Sequence, residues 1–514
     1  MPRFPPRSQI PRADRRPAAD CEFLAPRAEK CFKSSGVRPL PSMLFNSAIF
    51  FVFLAVVLAG YYLFARRSQN AWLLVASYVF YGWWDWRFLF LLFATTAIAW
   101  ATGLGMDCPF PRRRKACLVF SLVSNLGILG FFKYFDFFAD SLAAAFAAFG
   151  LSADPPTLKI VLPVGISFYT FQALSYTVDV YRKDMPPTRS FLDFALYVSF
   201  FPQLVAGPIE RATHLLHQFA GERRVTREAL ETGSFLILQG LFRKIVIADG
   251  AAGVVNAAFA NASTAPAAEL AAGMVLFALQ IYGDFAGYSD IARGVARLMG
   301  FELMENFRQP YFSRSVTEFW RRWHISLSTW LRDYLYIPLG GNRKGPRRTY
   351  ANLMATMLLG GLWHGANWTF VAWGGLHGAA LCLHRFFLRR SGRKADAARP
   401  LRFADIPAVL ATFLVVDAAW VFFRAPSFSV ARAYFAGLFS LRGGLAAASP
   451  VLFAKVAFFA ALAAAGDIPA RLTGCQEGLL RAPWFVRGAV FAAMVLLLIV
   501  LRPLDDTPFL YFQF

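Results

Sequence analysis

The chain has 514 residues, of which 57% are hydrophobic and 17% aromatic, with only 16% charged and a mean hydropathy of +0.45. An average soluble domain carries about 25% charged residues, and a disordered polymer cannot hold this much apolar surface in water, so both classes are excluded. The net charge of +22, from 53 Lys and Arg against 31 Asp and Glu, is spread over short basic clusters between long apolar runs. That is the pattern of cytoplasmic loops in a membrane protein, and no nucleic-acid partner is expected.

In chain order, residues 1–42 hold eight prolines and nine Lys or Arg against four Asp or Glu, without a long apolar run. They read as a disordered extension, or as residues translated only on paper from an upstream start codon. Met43 then opens 23 uncharged residues ending at Ala65. At about 1.5 Å rise per residue this stretch covers a hydrocarbon core of roughly 30 Å, and residues 43–514 read as one membrane-embedded domain. Further spans are expected at Asn70–Trp84, Phe88–Thr102, Ala116–Phe132, Lys159–Tyr181, Gly233–Ala260 and Ala268–Ile291. Others are expected at Tyr350–Thr369, Val371–Phe387, Asp405–Phe423, Val451–Gly466 and Val486–Leu501. The fold class is therefore all-α, a polytopic membrane protein of about 10–12 transmembrane helices. The clusters Arg66-Arg67, Arg112–Lys115, Arg182-Lys183, Arg211–Arg227, Arg308–Arg348, Arg389–Arg402 and Arg471–Arg487 can all lie on the cytoplasmic side.

One apolar run resists a simple span. Phe191–Ile209 contains Pro202 and Pro208, and proline removes backbone donors that lipid cannot replace, so a re-entrant element buried in protein is expected. Between Thr317 and Arg332 a helical wheel at roughly 100° per residue gathers Phe319, Trp320, Trp323, Leu327, Trp330 and Leu331 on one arc, with Arg321 and Arg332 opposite. The expectation there is an interfacial amphipathic helix with His324 at the edge of its apolar arc. The six cysteines, Cys21, Cys31, Cys108, Cys117, Cys382 and Cys475, are scattered without a CxxC pair, so neither a disulfide framework nor a metal site is indicated.

Six histidines carry most of the candidate chemistry. His364 lies in an apolar run, Leu358-Leu359-Gly360-Gly361-Leu362-Trp363-His364-Gly365-Ala366-Asn367-Trp368. An ionisable group at membrane depth is costly and is read by default as functional. The flanking glycines let a substrate or a second helix come close to the ring. An imidazole titrates near neutrality and can take a proton from a hydroxyl; the alternative is a hydrogen bond across a helix pair. His324 is open between an interfacial polar residue and a catalytic one. His214 and His217 stand three apart near Glu210 with no third ligand in view, so no metal is assigned. His377 and His384 read as packing or interface residues. Asp284 and Asp290, inside an apolar run, could orient an imidazole, line a polar path or make structural hydrogen bonds, with Trp363 and Asn367 as further neighbours of the path.

Several of these stretches together resemble the membrane-bound O-acyltransferase family, in particular its branch concerned with bacterial alginate O-acetylation. They are Trp363-His364-Gly365-Ala366 and the run from Phe319 to Asn342, with Met43–Ser47, Leu162–Phe168, Phe201–Leu204, Ala206–Ile209, Gly287–Asp290 and Tyr511–Phe514. The resemblance implies a ring of tilted helices around a thin centre, with re-entrant and interfacial pieces. It puts His364 at the family's catalytic position and His324 at its second histidine. It further implies a bacterial inner-membrane location and acetyl-CoA as donor substrate, with no bound cofactor. Periplasmic acetyltransferase partner proteins would deliver the acetyl group to a polysaccharide. The rival readings are a polysaccharide or lipid-linked-sugar transporter and a noncatalytic scaffold of a secretion complex.

Overall fold

The computed structural model describes residues 43–151, 158, 160–392, 400–444, 449–503 and 509–510. The expected extension at 1–42 and the motif Tyr511–Phe514 lie outside the described residues. Among the described residues every regular element is helical. Five helical stretches among the described residues are long and apolar enough to cross a membrane: Phe88–Gly105, Pro111–Ala148, Ala267–Leu298, Phe403–Arg424 and Pro450–Thr473. Shorter apolar helices run over Ala48–Leu63, Phe428–Phe439 and Trp484–Val500. More polar helices of similar reach occupy Arg66–Asp85, Ile166–Arg182, Gly345–His364 and Trp368–Arg390. The chain is an all-α polytopic membrane protein.

The Ala267–Leu298 helix is the pillar of the fold. Its most apolar window is 83% buried inside the protein, whereas the corresponding window of Pro450–Thr473 is only 11% buried and faces outward. The pillar sits backbone to backbone against Arg227–Leu241 because small residues face each other. A Cβ on Gly287 would stand 2.7 Å from the Gly240 carbonyl, and one on Gly294 would stand 2.5 Å from the Gly233 carbonyl. In lipid, where apolar surface gains nothing by leaving the solvent, such small-residue seams let dispersion contacts hold helices together.

Several of the basic clusters meet neighbouring loops. Arg114 donates to the carbonyls of Val180 and Tyr181 at 3.3 and 2.8 Å. Arg182 donates to the Asp333 carbonyl at 3.1 Å, and Arg211 pairs with the Asp333 carboxylate at 3.0 Å. Arg223 reaches the Arg66 carbonyl at 3.3 Å. The proline-containing segment is buried as expected: it forms two short helices, Phe191–Ser199 and Phe201–Leu204, and residues 194–210 are all buried. Protein groups satisfy its freed backbone, with Phe201 N donating to Ser77 Oγ at 3.1 Å and Ile209 N to Ser326 Oγ at 3.0 Å.

Four expectations need correction. The Ala116–Phe132 span continues through a π turn at Gly130–Tyr134 to Ala148. The carboxylate of Asp136 in the continuation accepts the N–H of Leu158 and of Ile160 at 3.2 and 3.1 Å, so charge there does not mark a helix end. The Tyr350–Thr369 span stops at His364, and helix resumes at Trp368 after Asn367 caps it. The Gly233–Ala260 span starts earlier, at Arg227, and passes through a π stretch, Phe242–Asp249, that holds buried Arg243, Lys244 and Asp249. Finally, the continuous amphipathic helix over 317–332 is broken. His324 adopts φ 45°, in the left-handed region, between Val316–Trp320 and Ile325–Leu331. The adjacent stretch of chain takes over the backbone bonds, Arg308 N to Arg322 O and Ile325 N to Asn306 O, both 2.9 Å. Phe319, Trp323, Leu327 and Leu331 are consequently buried in protein and not laid on lipid.

Candidate functional site

His364 is the last residue of its helix, and the chain turns extended at Gly365 before the Trp368–Arg390 helix starts. The two helices form a hairpin that closes at Gly361 and Gly374. A Cβ on Gly361 would meet the Phe370 carbonyl at 2.2 Å, and one on Gly374 would meet the Met357 carbonyl at 2.2 Å. The glycines near the imidazole therefore serve the approach of a helix. Asn367 fixes the turn: its Oδ1 accepts the Thr369 N–H at 3.0 Å while its Nδ2 donates to the Pro426 carbonyl at 3.0 Å. It is an N-cap residue of the kind that stabilises a helix start by about 1 kcal/mol.

The His364 ring is buried in an aromatic box. Ring centroids of Trp363, Trp373 and Phe423 lie at 5.0, 5.1 and 5.4 Å. The second histidine is there too: the His324 and His364 ring centroids are 6.2 Å apart. His324 has no exposed surface and His364 is only 4% exposed. Two residues forty positions apart in sequence, on separate elements, thus present imidazoles at one buried point.

His324 is held by a polar ladder. Asn306 Oδ1 lies 3.2 Å from His324 Nδ1 and also accepts from Ser326 N at 3.3 Å and Ser326 Oγ at 3.0 Å. Asn306 Nδ2 in turn donates to Ser289 Oγ at 3.3 Å. An amide oxygen only accepts, so His324 carries its proton on Nδ1 and its lone pair on Nε2. The Phe285 ring stands edge-on to the imidazole at 4.6 Å.

Lys133, in the π turn at Gly130–Tyr134, reaches the same place. Its ammonium donates to the carbonyls of Trp363 and His364 at 2.6 and 3.2 Å and to Ser167 Oγ at 3.3 Å. It also lies 5.8 Å above the Trp363 ring. Neither Lys133 nor Asn306 was legible as a site residue. The signal available was a lone lysine between aromatic residues in Phe131-Phe132-Lys133-Tyr134 within an apolar stretch, the same kind of signal that singles out His364.

Asp284 and Asp290 do not orient either imidazole. Asp290 pairs with Arg243 at 2.5 Å, and Arg243 also pairs with Asp467 at 2.8 Å. Asp284 pairs with Lys244 at 2.6 Å and accepts the Leu510 N–H at 2.8 Å, while Lys244 also pairs with Asp249 at 2.8 Å. This is a buried structural network of alternating charge, because carboxylates inside an apolar helix are too costly to bury without partners. His377 accepts the Trp320 indole N–H at 3.3 Å, His384 lies 2.8 Å from the Thr317 hydroxyl, and His214 pairs with Glu210 at 2.7 Å. Among the described residues no three His, Cys, Asp or Glu side chains gather as metal ligands.

The fold and the site define a class: a polytopic helical membrane protein with two imidazoles close together at a buried point. The chain belongs to the membrane-bound O-acyltransferase family, whose model matches residues 122–423, a span that includes His324, His364 and Lys133. It is 46% identical over 401 residues to a probable alginate O-acetylase of Azotobacter vinelandii, covering 77% of this chain and 78% of the relative. It is 42% identical to a protein of the same description from Pseudomonas putida, covering 92% of this chain and 100% of the relative. A peptidoglycan O-acetyltransferase of Helicobacter pylori is 36% identical, with 78% of this chain and 80% of the relative covered. The chain is a membrane O-acyltransferase.

Proposed function

We propose that this enzyme transfers acetyl groups from acetyl-CoA on the cytoplasmic side of the bacterial inner membrane toward an envelope or secreted polysaccharide of the alginate type, with His364 as general base. Periplasmic acetyltransferase partners would complete the delivery. The observation that carries the reading is the meeting of His324 and His364, 6.2 Å between ring centroids, at a buried point within the family-matched segment. The similarity to alginate O-acetylases supports the choice of acetyl group and polymer.

The chemistry needs no cofactor of the protein's own. A thioester is already activated, so the new carbon–oxygen bond forms as the carbon–sulfur bond breaks. The hydroxyl proton passes to the His364 imidazole and from there to the departing thiolate. A positioned base of this kind contributes roughly 10²–10⁴-fold, and holding donor and acceptor at one site supplies much of the rest. His324, its proton fixed on Nδ1 by Asn306, presents a lone pair on Nε2 that can orient a substrate hydroxyl. A transporter reading finds less support, because Arg243, Lys244, Asp284 and Asp290 are paired with one another and do not line an open polar path.

The test is the acetyl content of purified envelope and secreted polysaccharides from cells with and without this gene. Loss of acetyl groups from one polymer whose export continues is the expected result. Unchanged acetylation with polymer retained in the cell would favour the transporter.

A further inference from the structure

We infer that Lys133 is a positioning residue for His364, holding the carbonyl end of the helix from which that imidazole projects. The inference rests on the proposed role of His364. An α-helix leaves its last four carbonyls without intrahelical partners. In the Gly345–His364 helix, three of the last four are taken by two consecutive residues of a distant element. Tyr134 Oη donates to Leu362 O at 3.0 Å, and Lys133 Nζ donates to Trp363 O and His364 O at 2.6 and 3.2 Å.

The local backbone explains how this is possible. Lys133 and Tyr134 lie in the π turn at Gly130–Tyr134. Such a turn inserts one residue into the helical register, which rotates the remainder of the helix by about 100°, and single π turns recur at functional sites. The contacts of Lys133 also account for a half-buried lysine in an apolar stretch. An ammonium has three donors, and here it has three acceptors, the two carbonyls and Ser167 Oγ at 3.3 Å. No carboxylate pairs with it among the described residues; the partial negative charge at the C-terminal end of the Gly345–His364 helix takes that place. Ser167 belongs to the Ile166–Arg182 helix, so one side chain ties three elements to the carbonyl of the reacting residue.

Tyr134 supplies the internal comparison. It caps the same helix end, but two residues before the imidazole, so it shares the stabilising role without gripping His364 itself. A purely structural cap would make the two residues equivalent.

The experiment uses the full-length protein in membrane vesicles that retain its periplasmic partners, with radiolabelled acetyl-CoA and the polymer found to lose acetyl groups when the gene is removed. Lys133→Met is expected to lower kcat by roughly 10–100-fold, the range for a displaced catalytic group, with the KM for acetyl-CoA within about twofold. Tyr134→Phe is expected to lower the melting temperature at least as much and to leave kcat within a few-fold. Lys133→Arg keeps the charge and the donors and should recover most of the lost rate. Should Lys133→Met not fold, the order of kcat must run wild type, Lys133→Arg, Lys133→Gln. Wild-type kcat in Lys133→Met or Lys133→Gln, or no rescue by arginine, overturns the inference. His364→Gln is assayed in parallel: if it is fully active the proposed base is wrong, whereas an inactive His364→Gln beside a fully active Lys133→Met removes only the role of the lysine.

Discussion

Replacing Gly374 with alanine tests whether the hairpin seam sets the position of His364. The added Cβ would stand 2.2 Å from the Met357 carbonyl oxygen and 3.2 Å from Gly361 Cα, where ordinary contact begins at 3.4 Å. The helices must therefore part by about 1.2 Å, and because both offending atoms belong to backbone, no side-chain rotation relieves the clash. Overpacking of this kind costs about 1–3 kcal/mol, occasionally more. The separation is transmitted to the end of the Gly345–His364 helix, and a displacement near 1 Å costs roughly 10²-fold in rate. Polymer acetylation should fall by about that factor, with a lower melting temperature in detergent and with membrane insertion retained. Gly253→Ala is the matched control, because its Cβ would meet nothing within 4 Å; it should be neutral or stabilise by about 0.4–1 kcal/mol. Wild-type activity and melting temperature in Gly374→Ala would show that the seam does not set the position of His364.

Three further outcomes are expected from the same structure. Arg243→Met removes the guanidinium shared by the buried carboxylates of Asp290 and Asp467, leaving them Arg293 at 3.8 Å and the Tyr282 hydroxyl at 3.0 Å, and breaking a buried ion pair costs about 3–5 kcal/mol; the check is membrane abundance and thermal melting, where wild-type values would contradict it. Asn306→Leu removes the acceptor that holds His324 Nδ1, a net hydrogen-bond contribution of about 1–1.5 kcal/mol, so acetylation should drop roughly tenfold with abundance maintained. A chain begun at Met43 should insert and acetylate normally, as judged by membrane fractionation and polymer acetyl content; failure of either would make residues 1–42 part of the working protein.

Phe88–Gly105, Ala267–Leu298, Phe403–Arg424 and Pro450–Thr473 were legible because uncharged stretches of membrane length leave few alternatives. His364 was legible for the same reason, as an ionisable residue in an apolar run. Local periodicity failed at His324, where a left-handed residue interrupts an otherwise convincing amphipathic pattern. The cause is tertiary: the Asn306–Arg308 segment supplies the backbone partners that a helix would have supplied itself. Asp284 and Asp290 looked like site residues because their partners, Arg243 and Lys244, lie on another helix more than a span away in sequence. Lys133 was passed over because the expected span ended at Phe132, one residue short of it.

The proposed chemistry turns on His364 removing a proton from the acceptor. The most direct measurement is the acetyl content of the target polymer in cells carrying His364→Gln, with polymer export and membrane abundance followed alongside. Glutamine keeps much of the volume and hydrogen-bonding capacity of the imidazole but cannot act as the base. Acetylation should fall by roughly 10²–10⁴-fold while export and abundance are unchanged. Full acetylation in His364→Gln, or loss of export with acetylation per sugar intact, would contradict it.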